Sequence, residues 1–244
     1  MFFYSSIEIQ ILEYIKDSIT GVYFKQYMLG PYLTGQALTL ATVIRRVMLE
    51  EVEGLAIICL RISELFHEFS SIPNVQDDIL EVTLNLTSVV LAGQKPNQSF
   101  IVTLYAKGPK VITANDIIVP KGIYIANPYH YITTVNDYNT IGIDLVVGKG
   151  KGSVLSEEIA LMVPSEWSGY EYIVPDAAFA PVIKINFFVS SAGKKAADGW
   201  ETLMLEIWTN GSLSLSYAVK AATNICTYTY KEVEYNKLIR SIII

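Results

Sequence analysis

Two histidines and two cysteines are the side chains of this 244-residue chain best suited to do chemistry. His67 lies in LFHEF and His130 in NPYHYI, and neither is accompanied by the G-x-S-x-G turn of a serine hydrolase. Cys59 and Cys226 stand alone in apolar runs, which favours buried, reduced thiols over a disulfide or a zinc cluster. We therefore predict structural histidines and no catalytic residue, cofactor site or metal site.

The run GKGKGS, residues 148–153, has the composition of a phosphate-binding loop but not its spacing. A Walker A loop needs G-x-x-x-x-G-K-[ST], whereas here Ser153 directly follows Gly152. The dinucleotide motif G-x-G-x-x-G also fails, because Ser153 occupies the position of the last glycine. The run is instead predicted to be a flexible hairpin loop with a basic tip.

The overall composition is apolar and acidic. Hydrophobic residues make up 51% and charged residues 17%, which predicts much buried or subunit-facing surface in one or two domains. No window reaches the roughly 18 consecutive apolar residues of a spanning helix, so we expect no membrane contact. The net charge of −6 disfavours direct binding to nucleic acid. The N-terminal residues show no targeting pattern, so a protein of an organelle is expected to be made there.

Periodicity predicts an α+β organisation with two long helices. Residues 36–50 fit a helix that covers a sheet, because most of their apolar residues fall in one arc. A helix is also predicted over 74–86, with Asn74 as its N-cap, and another over about 214–235. Strands are predicted in the first 32 residues, at LAIICLRI, throughout 87–174, and at 181–191 and 202–208.

Arg45 and Arg46 lie inside the first predicted helix. Leu38 and Leu49 fall outside its main apolar stripe, close to Arg45, and Arg46 lies nearly opposite that stripe. A charge in an apolar helix is costly unless it is paired or solvated. The pattern therefore fits a face that meets another chain, and it fits an ordinary solvated face equally well.

Five segments in chain order carry a more specific pattern. They are LTGQALTLATVIRRVMLEEVEG (33–54), FHEFSSIPNVQDDILEVTLNL (66–86), KGPKVITANDIIVP (107–120), PDAAFAPVIKINFFV (175–189) and LEIWTNGSLSLSYAVKAATNI (205–225). Together they resemble the N-terminal domain of the RNA polymerase α subunit in its plastid-encoded form. The resemblance implies an α+β fold in which residues 1–53 and 175–244 form a dimerisation subdomain of a sheet and two long helices. Residues 54–174 would form an inserted, mostly-β subdomain.

The same resemblance implies a non-catalytic role in the plastid stroma. Two copies would form a homodimer that serves as the assembly platform for the β and β′ subunits. We expect no C-terminal DNA-binding domain after Ile244, and little or no direct contact with DNA.

The resemblance also assigns residues to interfaces. The β-subunit contacts would be Arg45, Arg46, Leu49, His67, Glu68 and Phe69. The β′ contacts would be Thr87 (where the family usually has lysine), Pro175 and Asp176. The dimer contacts would be Leu40, Ile44, Val47, Ala218, Ala222 and Ile225.

Two other classes stay open on the sequence alone. One is a free-standing β-rich module that binds a ligand, for instance a carbohydrate, through some of the sixteen tyrosines. The other is a hydrolase of unknown type. An α-type subunit expressed alone should be a dimer prone to aggregation, whereas a binding module should be a stable monomer.

Overall fold

A computed structural model describes residues 8–17, 20–62, 72–93, 99–138, 140–164, 167, 172–191 and 199–235. The helices are α1 (Gln36–Glu50), α2 (Ile79–Thr87), α3 (Ser156–Ile159) and α4 (Leu215–Tyr235). The strands are β1 (Glu8–Lys16), β2 (Tyr23–Leu33), β3 (Glu53–Ile62), β4 (Leu91–Gly93), β5 (Phe100–Lys107), β6 (Lys110–Thr113), β7 (Ile117–Ile118), β8 (Ile123–Ile125), β9 (Tyr131–Val135), β10 (Thr140–Lys151), β11 (Ser153–Val154), β12 (Ala177–Ala178), β13 (Val182–Ser191) and β14 (Trp200–Thr209). This content confirms the α+β class.

One antiparallel sheet draws its strands from both ends of the chain, in the order β1-β2-β14-β13. Its inner face is apolar at alternate positions, as the pleat requires, so that Leu203, Leu205 and Ile207 of β14 are buried. Helix α1 packs on this face, and α4 packs beside α1. The small Ala218 and Ala222 of α4 are fully buried, which lets the two helices approach closely.

A second antiparallel sheet, ordered β3-β10-β5-β7, is built from the middle of the chain. Helix α2 packs near it through Ile79, Val82 and Leu86, which recur at helical spacing and are fully buried. The pairs β4-β8, β6-β9 and β11-β12 surround this sheet.

The run GKGKGS is not the loop that the sequence predicts, because β10 continues through it to Lys151. Gly150 is paired with Gly54 of β3, and Phe179 lies against both, with its ring on Gly150 and its backbone on Gly54. A Cβ at Gly150 would stand 2.7 Å from the Phe179 ring, and one at Gly54 would stand 1.8 Å from the Phe179 carbonyl oxygen. Gly150 therefore makes room for the ring of Phe179, and Gly54 makes room for its backbone carbonyl.

The second predicted helix begins later than expected. Asn74 adopts a left-handed φ of 62°, and residues 74–76 hydrogen-bond alongside β9, so Asn74 is not the N-cap. Asp78 caps α2 instead, since its Oδ1 accepts a bond of 2.7 Å from the backbone N–H of Glu81. Asp77 accepts bonds from Tyr131 Oη (2.6 Å) and from a neighbouring threonine.

The two long helices, over residues 36–50 and up to Tyr235, are confirmed. The strands predicted at LAIICLRI, 181–191 and 202–208 are also confirmed, and their observed bounds agree with the prediction within a few residues. None of the helices in the described ranges is long and apolar enough to cross a bilayer.

Candidate subunit interface

Helix α1 has a buried face and an open face. Five apolar residues contact the sheet and are at most 4% exposed: Ala37, Ala41, Ile44, Val47 and Met48. On the open face, Arg45 and Arg46 are exposed, and Leu38 is 52% exposed. Leu49 is half-buried. The open face thus offers apolar surface and guanidinium groups together.

The Arg46 guanidinium is held at the end of α1 by two carboxylates. Its Nη2 lies 2.6 Å from Glu51 Oε1, and its Nη1 lies 3.5 Å from Glu50 Oε2. The hydrogen bond and charge of Glu51 raise the pKa of Arg46 above its ordinary value, with a smaller contribution from Glu50. Two carboxylates at a helix C-terminus oppose the helix dipole, and Arg46 offsets that repulsion.

Glu51 sits at the junction between the two sheets and the long helices. It lines a hollow of about 190 Å³ together with Val52, Glu53, Lys151, Tyr217, Ala221 and Ile225. Glu53, which lines the same hollow, forms an ion pair of 2.8 Å with Lys149 of β10. The C-terminal end of α1 therefore contacts a packed region of the chain through Glu51.

The predicted dimer residues fall into two groups. Ile44, Val47, Ala218 and Ala222 lie inside the chain's own core and are at most 4% exposed. Leu40 and Ile225 are half-buried on the same helices. Their assignment to a dimer interface stays a prediction.

Sequence reasoning missed the exposed apolar residues Tyr217 and Tyr228 of α4, which are 56% and 66% exposed. Helical periodicity identifies the most apolar arc of an amphipathic helix, which faces the chain's own sheet. It therefore does not single out apolar residues such as Tyr217 and Tyr228 outside that arc. Helical periodicity measured from Ala218 would have separated Tyr217 from the buried stripe.

The predicted β′ residues lie at the surface of the central part of the chain. Thr87, the last residue of α2, is half-buried and donates a bond of 2.8 Å to the Leu84 carbonyl. Pro175 is half-buried, and Asp176 is exposed. Asp176 Oδ1 accepts a bond of 2.7 Å from the backbone N–H of Ser156, which fixes the start of α3. His67, Glu68 and Phe69 lie outside the described residues.

The other reactive groups in the described residues, Cys59, Cys226 and His130, are buried or half-buried. Burial raises the pKa of the Cys59 thiol to about 12, against a lowering by the charge of Arg61. The Cys226 thiol is half-buried, and burial together with the charge of Glu51 raises its pKa. His130 Nε2 lies 3.0 Å from the Asn85 carbonyl oxygen, which joins a turn to α2. In the ranges that the structure describes, no cluster of three or more His, Cys, Asp or Glu could hold a metal ion.

Comparison with known proteins gives matches that span most of the chain. The family model of the RNA polymerase Rpb3/RpoA insert domain matches residues 60–180. The DNA-directed RNA polymerase subunit alpha of Thalassiosira pseudonana is 34% identical over 219 residues, 90% of this chain and 68% of that protein. That of Emiliania huxleyi is 34% identical over 92% of this chain and 70% of its own length. The subunit alpha of Synechococcus sp. (strain JA-3-3Ab) is 33% identical over 84% of this chain and 60% of its own length.

Proposed function

The chain belongs to the family of DNA-directed RNA polymerase α subunits, and from this premise we propose that two copies of it form the assembly platform for the β and β′ subunits of a plastid RNA polymerase. On this proposal the chain performs no bond chemistry, and the large subunits carry out nucleotidyl transfer. The observation that carries the proposal is the open face of α1, where Arg46 and Leu38 are exposed on a helix whose other face is packed.

The dimerisation subdomain would consist of residues 1–53 and 175–244, and residues 54–174 would form the inserted subdomain. Support comes from the apolar clusters, since the sheet made from both chain ends shares one cluster with α1 and α4. Apolar side chains exposed on the same layer suit contact with a second copy. They are Leu38, Tyr217 and Tyr228 of the helices and Ile9 and Ile11 of β1.

The two large subunits would meet different surfaces of the dimer. Arg46, with Arg45 and Leu49, would capture the β subunit, because a guanidinium on an apolar rim pairs well with a carboxylate of a partner. Thr87, Pro175 and Asp176 would contact β′. One copy in the dimer would contact β through the first of these surfaces, and the other copy would contact β′ through the second.

A plastid location is supported by the organisms of the relatives, which include algae and a cyanobacterium. The net charge of −6 supports a platform that leaves promoter DNA to other subunits.

The test is reconstitution with the β and β′ subunits of the same organism. The tagged chain should elute as a dimer when expressed alone, and it should bring down β and β′ in a ratio of two copies to one of each. A monomer that retains neither large subunit would contradict the proposal and would favour a free-standing binding module.

A further inference from the structure

The outer face of the sheet β1-β2-β14-β13, which no helix of this chain covers in the described ranges, has a groove of about 470 Å³ at one end. Its lining residues are Ile15, Asp17, Thr20, Val22, Phe24 and Trp208. Strand pairing aligns Ile15, Phe24 and Trp208 side by side across three strands. The volume falls in the range of about 300–1,000 Å³ that is usual for small binding sites.

The wall of the groove is aromatic. The rings of Phe24 and Trp208 stack with centroids 4.8 Å apart and planes tilted by 39°. Beyond them, away from the groove, Lys184 of β13 places its Nζ 5.0 Å from the centre of the Trp208 ring. The Trp208 ring therefore already attracts a cation within this chain, as the negative faces of indole rings do.

The rim of the groove is acidic and held in place. Asp17 Oδ2 accepts a bond of 2.6 Å from Thr20 Oγ1, which fixes the carboxylate at the mouth. Gly21, directly after Thr20, is closely packed, because a Cβ there would stand 2.6 Å from the Ala126 carbonyl oxygen, and a Cβ at Gly211 would stand 2.3 Å from the carbonyl oxygen of Gly21. The chain beside Thr20 is therefore held in place by packing.

The neighbouring row of the same face adds negative charge. Strand pairing places Glu13, Gln26 and Glu206 next to one another. The carboxylate of Glu206 accepts bonds from the amides of Gln26 (3.2 Å) and Asn186 (3.3 Å), which are neutral and leave its charge in place. Together with Glu8 on the same face, four carboxylates therefore face one lysine, Lys184, across the described part of this surface.

An aromatic wall, a fixed carboxylate at the rim and surrounding negative charge complement a cation on an apolar stem. We propose that this groove, a site separate from the platform surfaces above, receives an arginine or lysine side chain from a basic segment of a protein partner. The side chain would lay its methylene groups on Ile15 and Phe24 and direct its charge to Asp17. An acidic or phosphorylated ligand would meet repulsion from the same carboxylates.

The test uses this chain labelled with 5-fluorotryptophan. Its three tryptophans give three fluorine signals. Trp208→Phe identifies the signal of the groove. The probes are the capped tripeptide acetyl-Gly-Arg-Gly-amide and its citrulline counterpart, which has nearly the same shape without the charge. The arginine peptide should shift the Trp208 signal in a saturable way and leave the Trp167 and Trp200 signals unchanged. The citrulline peptide should leave the Trp208 signal unchanged.

Asp17→Asn should weaken binding of the arginine peptide about threefold, whereas the control Glu157→Gln, an exposed carboxylate on α3, should not change it. If Asp17→Asn disturbs the Trp167 and Trp200 signals, Phe24→Leu replaces it as the deciding variant and should also weaken binding. The proposal is overturned if the citrulline peptide shifts Trp208 equally, if no saturable shift is seen, or if the deciding variant binds as tightly as the unmodified chain.

Discussion

Arg46 and Glu51 form an ion pair of 2.6 Å where α1 ends and the chain enters β3. Arg46 is largely exposed, whereas Glu51 is half-buried against the junction with β10 and α4. The residue proposed to capture the β subunit is therefore oriented by a neighbour that is itself anchored in the fold.

Replacing Arg46 should separate β-subunit capture from dimer formation. Arg46→Ala removes an exposed guanidinium and no core packing, so the elution volume of the dimer should not change. Binding of the β subunit should fall about tenfold or more, as for a central arginine of an interface. Biolayer interferometry with immobilised β subunit measures it, with Arg45→Ala as the neighbouring control of smaller effect. Wild-type affinity in the Arg46→Ala variant would exclude Arg46 as the capturing residue.

The two glutamates beside Arg46 provide a matched pair of variants. Glu51→Gln removes the partner at 2.6 Å, whereas Glu50→Gln removes one at 3.5 Å whose side chain is 65% exposed. If Glu51 positions Arg46, then Glu51→Gln should weaken β binding about threefold and Glu50→Gln should have little effect. The difference should vanish at high salt and in the Arg46→Ala background. Equal effects of the two variants would show that local charge, and not position, matters.

The glycine positions on β10 test the packing of Phe179. Gly150→Ala forces a Cβ to within 2.7 Å of the Phe179 ring and should lower the free energy of unfolding by about 1–3 kcal/mol. Gly142 lies on the same strand with open space around it, so Gly142→Ala should change stability by less than about 0.5 kcal/mol. Urea unfolding followed by circular dichroism compares the two. A similar loss of stability in both variants would point to strand flexibility as the cause.

The same strand shows where sequence reasoning succeeds and where it stops. The bounds of α1 could be predicted because its buried face follows the helical period and lies within one segment. The strand character of residues 148–151 could not be predicted, since it depends on pairing with residues 53–56 of β3, which are distant in the sequence. For the interface, periodicity identified the helices and placed Leu38 and Arg46 outside the buried stripe. It did not show that the stripe residues Ile44 and Val47, which the resemblance assigns to the dimer interface, are almost fully buried within the chain's own core.

Cys59 should make stability fall as the pH rises above neutral. The thiol is fully buried and its folded pKa is about 12, whereas an unfolded thiol titrates near about 8.5. Between these values the unfolded state loses a proton that the folded state keeps, so unfolding is favoured by up to about 1.4 kcal/mol per pH unit. Urea unfolding under reducing conditions at pH 8, 9.5 and 10.5 measures the slope. Cys59→Ala should make the slope shallower by that amount, and Cys226→Ala, at a half-buried thiol, should change it less. An unchanged slope in Cys59→Ala would show that the native thiol titrates as it does in water.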